Sequence, residues 1–177
     1  LGMDDDQLID ECLILFVAGH ETSANALSWM IYLLGKYPEQ LSRIQYADTI
    51  QQEVLIRNII YETIRLYPPA WVVDRISLED DQVLDYLLPV GTVWIIYIRG
   101  MHRNPDYWKD PDQFIPDRWN DPDLNKEAYM PFGAGPRLCI GEHFAWMEMQ
   151  LILTEIIRHW DIKLISQVIN EKPLVTL

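Results

Sequence analysis

Cysteine is almost absent: Cys12 and Cys139 are the only two in 177 residues, one on a helix-patterned stretch and the other in a loop of small residues. That excludes a disulfide framework and makes a reducing compartment the default. Positive charge is scarce too. The chain has 14 Lys and Arg against 27 Asp and Glu, a formal net charge of -13, and its basic residues are scattered. No nucleic-acid partner is expected, because phosphate binding needs a basic surface. Membrane-length apolar runs are missing, since the nearest approaches are Cys12 to Ala18 and Leu27 to Leu34, with polar residues between them. No signal peptide and no membrane association are visible, although Leu1 is not a native-looking start and the absence of targeting says nothing about a longer parent chain. There are only four histidines. His20-Glu21 is half of a zinc-protease motif, but Ala24 stands where the second histidine would be. His102, His143 and His159 lack paired ligand spacing and read as packing or surface residues. Internal repeats, low-complexity segments and linkers are also missing.

What is present reads as a mainly helical chain with small sheets, organised as one unit over residues 1–177. A long helix is expected from about Asp4 to about Gly35, with three acids at its start. Its flanks, Leu8 to Val17 and Leu27 to Leu34, are apolar almost all round, which predicts burial on several faces. Between them Ala18 to Asn25 forms a polar island, costly to bury without compensation. Pro38-Glu39 opens a short helix, and a second strong helix covers about Gln52 to Tyr67, with Leu55, Ile59 and Leu66 on its core face. Pro68-Pro69 stops it. Ala70 to Ile76 and Leu87 to Tyr97 read as strands of a small sheet, and Asn120 to Ala128 as a polar surface loop. A final helix is predicted from Ile140 to about Trp160, with Phe144, Leu151, Ile152, Ile156 and Ile157 at helical spacing. Ile162 to Ile165 and Leu174 to Leu177 are candidate short strands.

The chemistry concentrates at Phe132-Gly133-Ala134-Gly135-Pro136-Arg137-Leu138-Cys139-Ile140-Gly141. Its small residues remove bulk, so a large flat ligand can approach the sulfur. The following helix puts Cys139 at a helix N-terminus, which favours thiolate over thiol. The pattern Phe-x-x-Gly-x-Arg-x-Cys-x-Gly resembles the haem-ligand loop of the cytochrome P450 family. Three more stretches carry the same resemblance in the family's order. Ala18-Gly19-His20-Glu21-Thr22-Ser23 is similar to the oxygen-binding segment of the distal helix. Glu62 and Arg65 before Leu66-Tyr67-Pro68-Pro69, with Arg118 in Phe114-Ile115-Pro116-Asp117-Arg118-Trp119, resemble the family's buried charge cluster.

The resemblance implies the fold, the cofactor and the roles. The fold would be the C-terminal part of the cytochrome P450 fold, from distal helix to haem-loop helix and incomplete as a domain. The cofactor would be haem b, iron protoporphyrin IX, with the Cys139 thiolate as iron ligand. Phe132 would pack beside the sulfur, while Arg137 and Arg75 would pair with haem propionates. Ala18 and Gly19 would leave room over the iron, and Thr22 with Glu21 would deliver protons to oxygen bound there. Out of context, Thr22 is a helix residue bonding back to a carbonyl, Arg137 a solvated loop charge and Arg75 a strand-edge charge. His102-Arg103-Asn104-Pro105 and Trp108-x-Asp110-Pro111 look like scaffolding.

The implied activity of the full-length parent is oxygen-dependent hydroxylation of an apolar small molecule, with electrons from a redox partner of ferredoxin or flavodoxin/reductase type. The short stretch from Pro38 to Glu62 is more like soluble bacterial members, which implies a cytoplasmic location. His102-Arg103, Trp108 and the Phe114 to Trp119 segment resemble members that hydroxylate fatty acids and similar lipids. Alternatives are a peroxide-driven peroxygenase, a haem-thiolate isomerase, or a non-catalytic haem-binding fragment. The helices that precede the distal helix in the family have no counterpart, so the 177 residues are expected to be a fragment that folds poorly alone.

Overall fold

A computed structural model of the chain describes residues 2–165, 169, 171 and 176. Its longest element is helix α1, Asp5–Lys36. Asp4 caps it, accepting from the Gln7 N–H at 2.8 Å, and Asp5 and Asp6 in the first turn suit the positive end of the helix dipole. Its buried residues, Ser23, Ala26, Met30, Leu33 and Leu34, fall on one face of its C-terminal half. Helix α2, Pro38–Tyr46, starts on its proline and buries Leu41 and Ile44.

Helix α3 spans Thr49–Leu66, three residues earlier at its start than the expected Gln52, because Asp48 caps it through the Gln51 N–H at 2.9 Å. Its last three turns are buried on nearly every side, from Ile56 through Leu66 with Arg57 and Tyr61 excepted. Helix α5, Glu142–His159, completes the main core, where Met149, Leu153 and Ile157 meet Ala26, Met30, Ile59 and Ile60 in one cluster. The expected apolar stripe of this helix is only partly its core face. Ile157 is buried, but Phe144 and Leu151 are 61% and 63% exposed, because the face turned to α1 and α3 is the one bearing Met149 and Leu153. Gly35 allows a close approach here, since a Cβ on it would lie 3.3 Å from the Leu164 Cβ.

The two stretches expected to form a small sheet do pair, and a second hairpin lies between them. Strand β1, Val73–Ile76, pairs antiparallel with β4, Val93–Ile96, while β2, Asp81–Val83, and β3, Tyr86–Leu88, form a separate hairpin. The stretch Leu87 to Tyr97 is broken because Pro89 has no N–H to donate and Gly91 takes φ +83, closing a turn through the Thr92 N–H to the Pro89 carbonyl at 3.1 Å. The first strand starts only at Val73, since the Trp71 carbonyl accepts from the Arg99 N–H at 3.1 Å. A short helix α4, Ile98–Met101, follows β4. Ile162 to Ile165 form no strand. The other candidate, Leu174 to Leu177, lies outside the described residues except for Thr176. Among the described residues, no helix is long and apolar enough to cross a membrane.

The N-terminal half of α1 has the all-round apolar composition of a buried helix but is open: Leu8, Leu13 and Phe16 are 52%, 55% and 67% exposed. The isolated 177-residue chain should therefore self-associate and bind apolar dyes. Leu13→Glu with Phe16→Glu should reduce both in light scattering and dye fluorescence. A monodisperse, dye-silent wild-type chain would contradict the expectation.

Candidate functional site

The site is built outward from a charge cluster on the last turns of α3. Glu62 and Arg65 are both fully buried and pair through two bonds of 2.9 Å. The remaining Arg65 N–H groups reach the carbonyls of His102, Pro111 and Gln113 at 2.7, 2.7 and 3.0 Å. Glu62 also accepts from the Ile115 N–H, Arg118 Nε and Trp119 Nε1 at 2.9, 3.0 and 3.0 Å. Arg118 in turn donates to the carbonyls of Lys109 and Asp110 at 2.8 and 3.2 Å. Every N–H of the Arg65 guanidinium is thereby used, which is what permits a charge at this depth. The expected third member, Arg118, is in place. The sequence did not reveal that Trp119 and five backbone carbonyls share the work.

This cluster fixes residues 109–119, and aromatic contacts carry the order onward. Trp119 stacks on Tyr61 with centroids 4.8 Å apart, and the Tyr129 hydroxyl donates to the Tyr61 carbonyl at 3.2 Å. Burial raises the Tyr129 pKa well above its usual value, so the phenol stays protonated. His102, read from sequence as a packing or scaffolding residue, is fully buried and lies between α3 and Met130.

The cysteine loop follows. The Gly133 N–H donates to the Met130 carbonyl and the Leu138 N–H to the Gly135 carbonyl, both at 3.0 Å. Gly133 and Gly135 take φ +77 and +69, a region that a side chain would strain. The Cys139 N–H donates to the Phe132 carbonyl at 3.0 Å, which ties the two backbones together. The Phe132 ring points into the core beside Trp146, at 5.9 Å between centroids. Cys139 lies outside helix α5, three residues before its first turn, and its own carbonyl accepts from the Glu142 N–H at 3.3 Å. Its thiol is free and exposed. Leu138 and Ile140, on either side of it, are 49% and 92% exposed, so the sulfur stands on an open apolar surface. Arg137 is exposed beside it.

The expected opposite wall is on α1. Ala18, Gly19 and Glu21 are exposed and Thr22 is half-buried, so the polar island is mostly open and only Ser23 within it is buried. The preceding residues of the same helix, Leu13 to Val17, are open as well. The Thr22 hydroxyl donates to the Ala18 carbonyl at 2.8 Å, and Glu21 Oε1 accepts from the Thr176 hydroxyl at 2.7 Å. A Cβ on Gly19 would meet nothing within 4 Å. Arg75, on β1, is exposed and donates to the Asp74 carbonyl at 2.6 Å. Among the described residues, no hydrogen bond or ion pair joins Glu21, Thr22 or Arg75 to the cysteine loop, and neither Arg75 nor Arg137 is in an ion pair.

The free thiol thus sits on a glycine-shaped loop that follows a segment anchored by the buried Glu62–Arg65–Arg118 cluster. The family model described as "Cytochrome P450" matches residues 1–176. The chain belongs to the cytochrome P450 family. It is 30% identical over 182 residues to "Cytochrome P450 3A6" of Oryctolagus cuniculus, covering 94% of this chain and 36% of that protein. It is 31% identical over 178 residues to "Cyclooctat-9-en-7-ol 5-monooxygenase" of Streptomyces melanosporofaciens, covering 92% of this chain and 39% of that protein. "Cytochrome P450 97B2, chloroplastic" of Glycine max is 30% identical over 207 residues, with 92% and 36% covered. The cytochrome P450 chain thus spans little more than a third of the length of these curated relatives.

In the full-length cytochrome P450, Glu62→Leu should cost about 3–5 kcal/mol, because it leaves Arg65 charged, buried and unpaired. Lys109→Ala, which keeps the carbonyl that Arg118 uses, should cost no more than about 0.5 kcal/mol. Urea unfolding checks both, and equal losses would show that the cluster has no special weight.

Proposed function

We propose that the parent of this chain is a haem-thiolate monooxygenase, which inserts one atom of dioxygen into a C–H bond of an apolar organic molecule. The observation that carries the reading is the exposed, free thiol of Cys139, set between Leu138 and Ile140 on a loop that Gly133, Gly135 and the Phe132 carbonyl hold in shape. The donor set fits the cofactor: a soft thiolate for iron, an open apolar surface for a flat macrocycle, and two arginines, Arg137 and Arg75, with no carboxylate partner among the described residues.

Cys139 Sγ would be the iron ligand, with Phe132 packed behind its backbone. Arg137 and Arg75 would balance the two propionates. When bound, the haem supplies dioxygen activation and the oxidising power for C–H insertion, which the protein's side chains lack. The chain's own work on the distal side is proton handling. Insertion of one oxygen atom and release of the other as water consumes two protons and two electrons. Glu21 holds a carboxylate at the surface of α1, and the Thr22 hydroxyl, donating to the Ala18 carbonyl, keeps lone pairs free to accept from a water on that side. Ala18 and Gly19 leave space beside them. The electrons would come from a ferredoxin or a flavodoxin/reductase-type donor. A lipid or fatty acid is the proposed substrate class, supported by the His102-Arg103, Trp108 and Phe114 to Trp119 signature.

In the full-length protein, reduction under carbon monoxide should give the red-shifted Soret band of thiolate ligation, and Cys139→Ser should abolish it. A serine variant that keeps the band would remove Cys139 as ligand. Thr22→Ala should leave that band intact while lowering the product formed per electron severalfold. Unchanged coupling would take Thr22 out of the proton path.

A further inference from the structure

Between the charge cluster and the cysteine loop stands a side chain that belongs to neither. His102 is fully buried, its Nδ1 lies 3.1 Å from the Arg65 carbonyl, and the Met130 N–H donates to its Nε2 at 3.0 Å. A ring nitrogen that accepts from an amide carries a lone pair, so this imidazole is neutral with its proton on Nδ1, donating to Arg65. Tyr129 stacks on the ring at 5.4 Å and fixes its plane. The His102 carbonyl takes Arg65 Nη1 at 2.7 Å, so the two residues are joined twice. Met130 is tied to this pair through the ring, and its carbonyl holds the Gly133 N–H that opens the turn toward Cys139.

We propose that His102 is a positioning residue for the cysteine loop: its neutral ring, seated between the Arg65 carbonyl and the Met130 N–H, transmits the placement fixed by Glu62 and Arg65 to the segment that presents the Cys139 thiol. The consequence for haem ligation rests on the reading of Cys139 given above; the junction itself does not. Gaining a second proton turns Nε2 from acceptor to donor, orphans the buried Met130 N–H and sets an imidazolium beside Arg65.

The charged and titratable groups around the ring are Arg65 and Glu62 of α3, already paired with each other, and the Tyr129 phenol, which burial keeps protonated. Arg103, next in the chain, is turned away to Asp112 and the Leu66 carbonyl. Burial first, then the Arg65 charge, lowers the His102 pKa to about 4, against the pull of its backbone hydrogen bonds. The unfolded chain takes up the proton near pH 6.5 and the folded chain only near pH 4, so the folded state loses ground as pH falls through that window. The loss is on the order of a hundredfold in the ratio of folded to unfolded protein.

The experiment uses the full-length, haem-loaded protein and three forms: unmutated, His102→Gln, which keeps a donor and an acceptor but does not titrate, and His102→Phe, which keeps the bulk and removes both bonds. Two quantities are read from about pH 7 to about pH 4: the fraction of the carbon-monoxide complex showing the thiolate Soret band, and hydrogen exchange in the peptide containing Met130. The unmutated protein should hold the band and the protection at neutral pH and lose both on acidification. His102→Phe should show a reduced thiolate fraction and at least tenfold faster exchange already at neutral pH. His102→Gln should restore most of both at neutral pH and flatten the acid step. If His102→Phe does not fold, the glutamine variant still decides: an acid step and exchange profile identical to the unmutated protein would overturn the proposal. If the unmutated protein shows no thiolate band at any pH, the reading of Cys139 fails, while the exchange comparison still tests the junction.

Discussion

The Glu62–Arg65–Arg118 cluster is the constraint on which the rest of the structure depends. A carboxylate and a guanidinium at full burial are tolerable only when each lone pair and N–H finds a partner, and here the partners come from far along the chain: His102, Pro111, Gln113, Ile115 and Trp119. Long irregular segments have few repeating hydrogen bonds of their own. The cluster substitutes for them, pinning the backbone between α4 and the cysteine loop to the end of α3. A loop with no strand or helix of its own over residues 121–134 can then present a thiol in a defined place.

The two halves of the candidate site differ in how much of their support this chain contains. The cysteine loop finds its support within this chain: glycine geometry, the Cys139-to-Phe132 bond, the Phe132 ring beside Trp146 and the link through His102 to α3. The residues proposed to stand opposite it are on α1, a helix secured at its C-terminal end by Ala26, Met30, Leu33 and Leu34, and open from Leu8 to Val17. The same helix thus has a side chain pattern for burial and a surface without cover. Its polar island is largely open, with Ser23 alone buried, and Thr22 makes the back-bond of an ordinary helical threonine.

Much of this was legible in advance. The helices were readable because caps, prolines and apolar spacing act locally: Asp4 and Pro38 start α1 and α2, and Pro68-Pro69 ends α3. The spacing of Glu62 to Arg65 and the Phe132 to Gly141 pattern marked the cluster and the cysteine loop. Less legible were features decided between elements. The periodicity of α5 showed a helix, yet Phe144 and Met149 are equally apolar as letters, and only the placement of α1 and α3 buries one and leaves the other open. Likewise, Leu87 to Tyr97 has strand composition throughout, but Pro89 and Gly91 divide it between two sheets.

By itself, then, the sequence determined the order of helices, the acidic charge, the single cysteine in a glycine-shaped loop and the family's four motifs, because each depends on neighbours within a few residues. Only the tertiary structure decided which carbonyls complete Arg65, which face of α5 is core, and that His102 is a neutral link between α3 and Met130. A histidine in Met101-His102-Arg103 carries no local mark of its role. Its partners lie 37 residues before it and 28 after, and only packing brings the two sides of one ring to both.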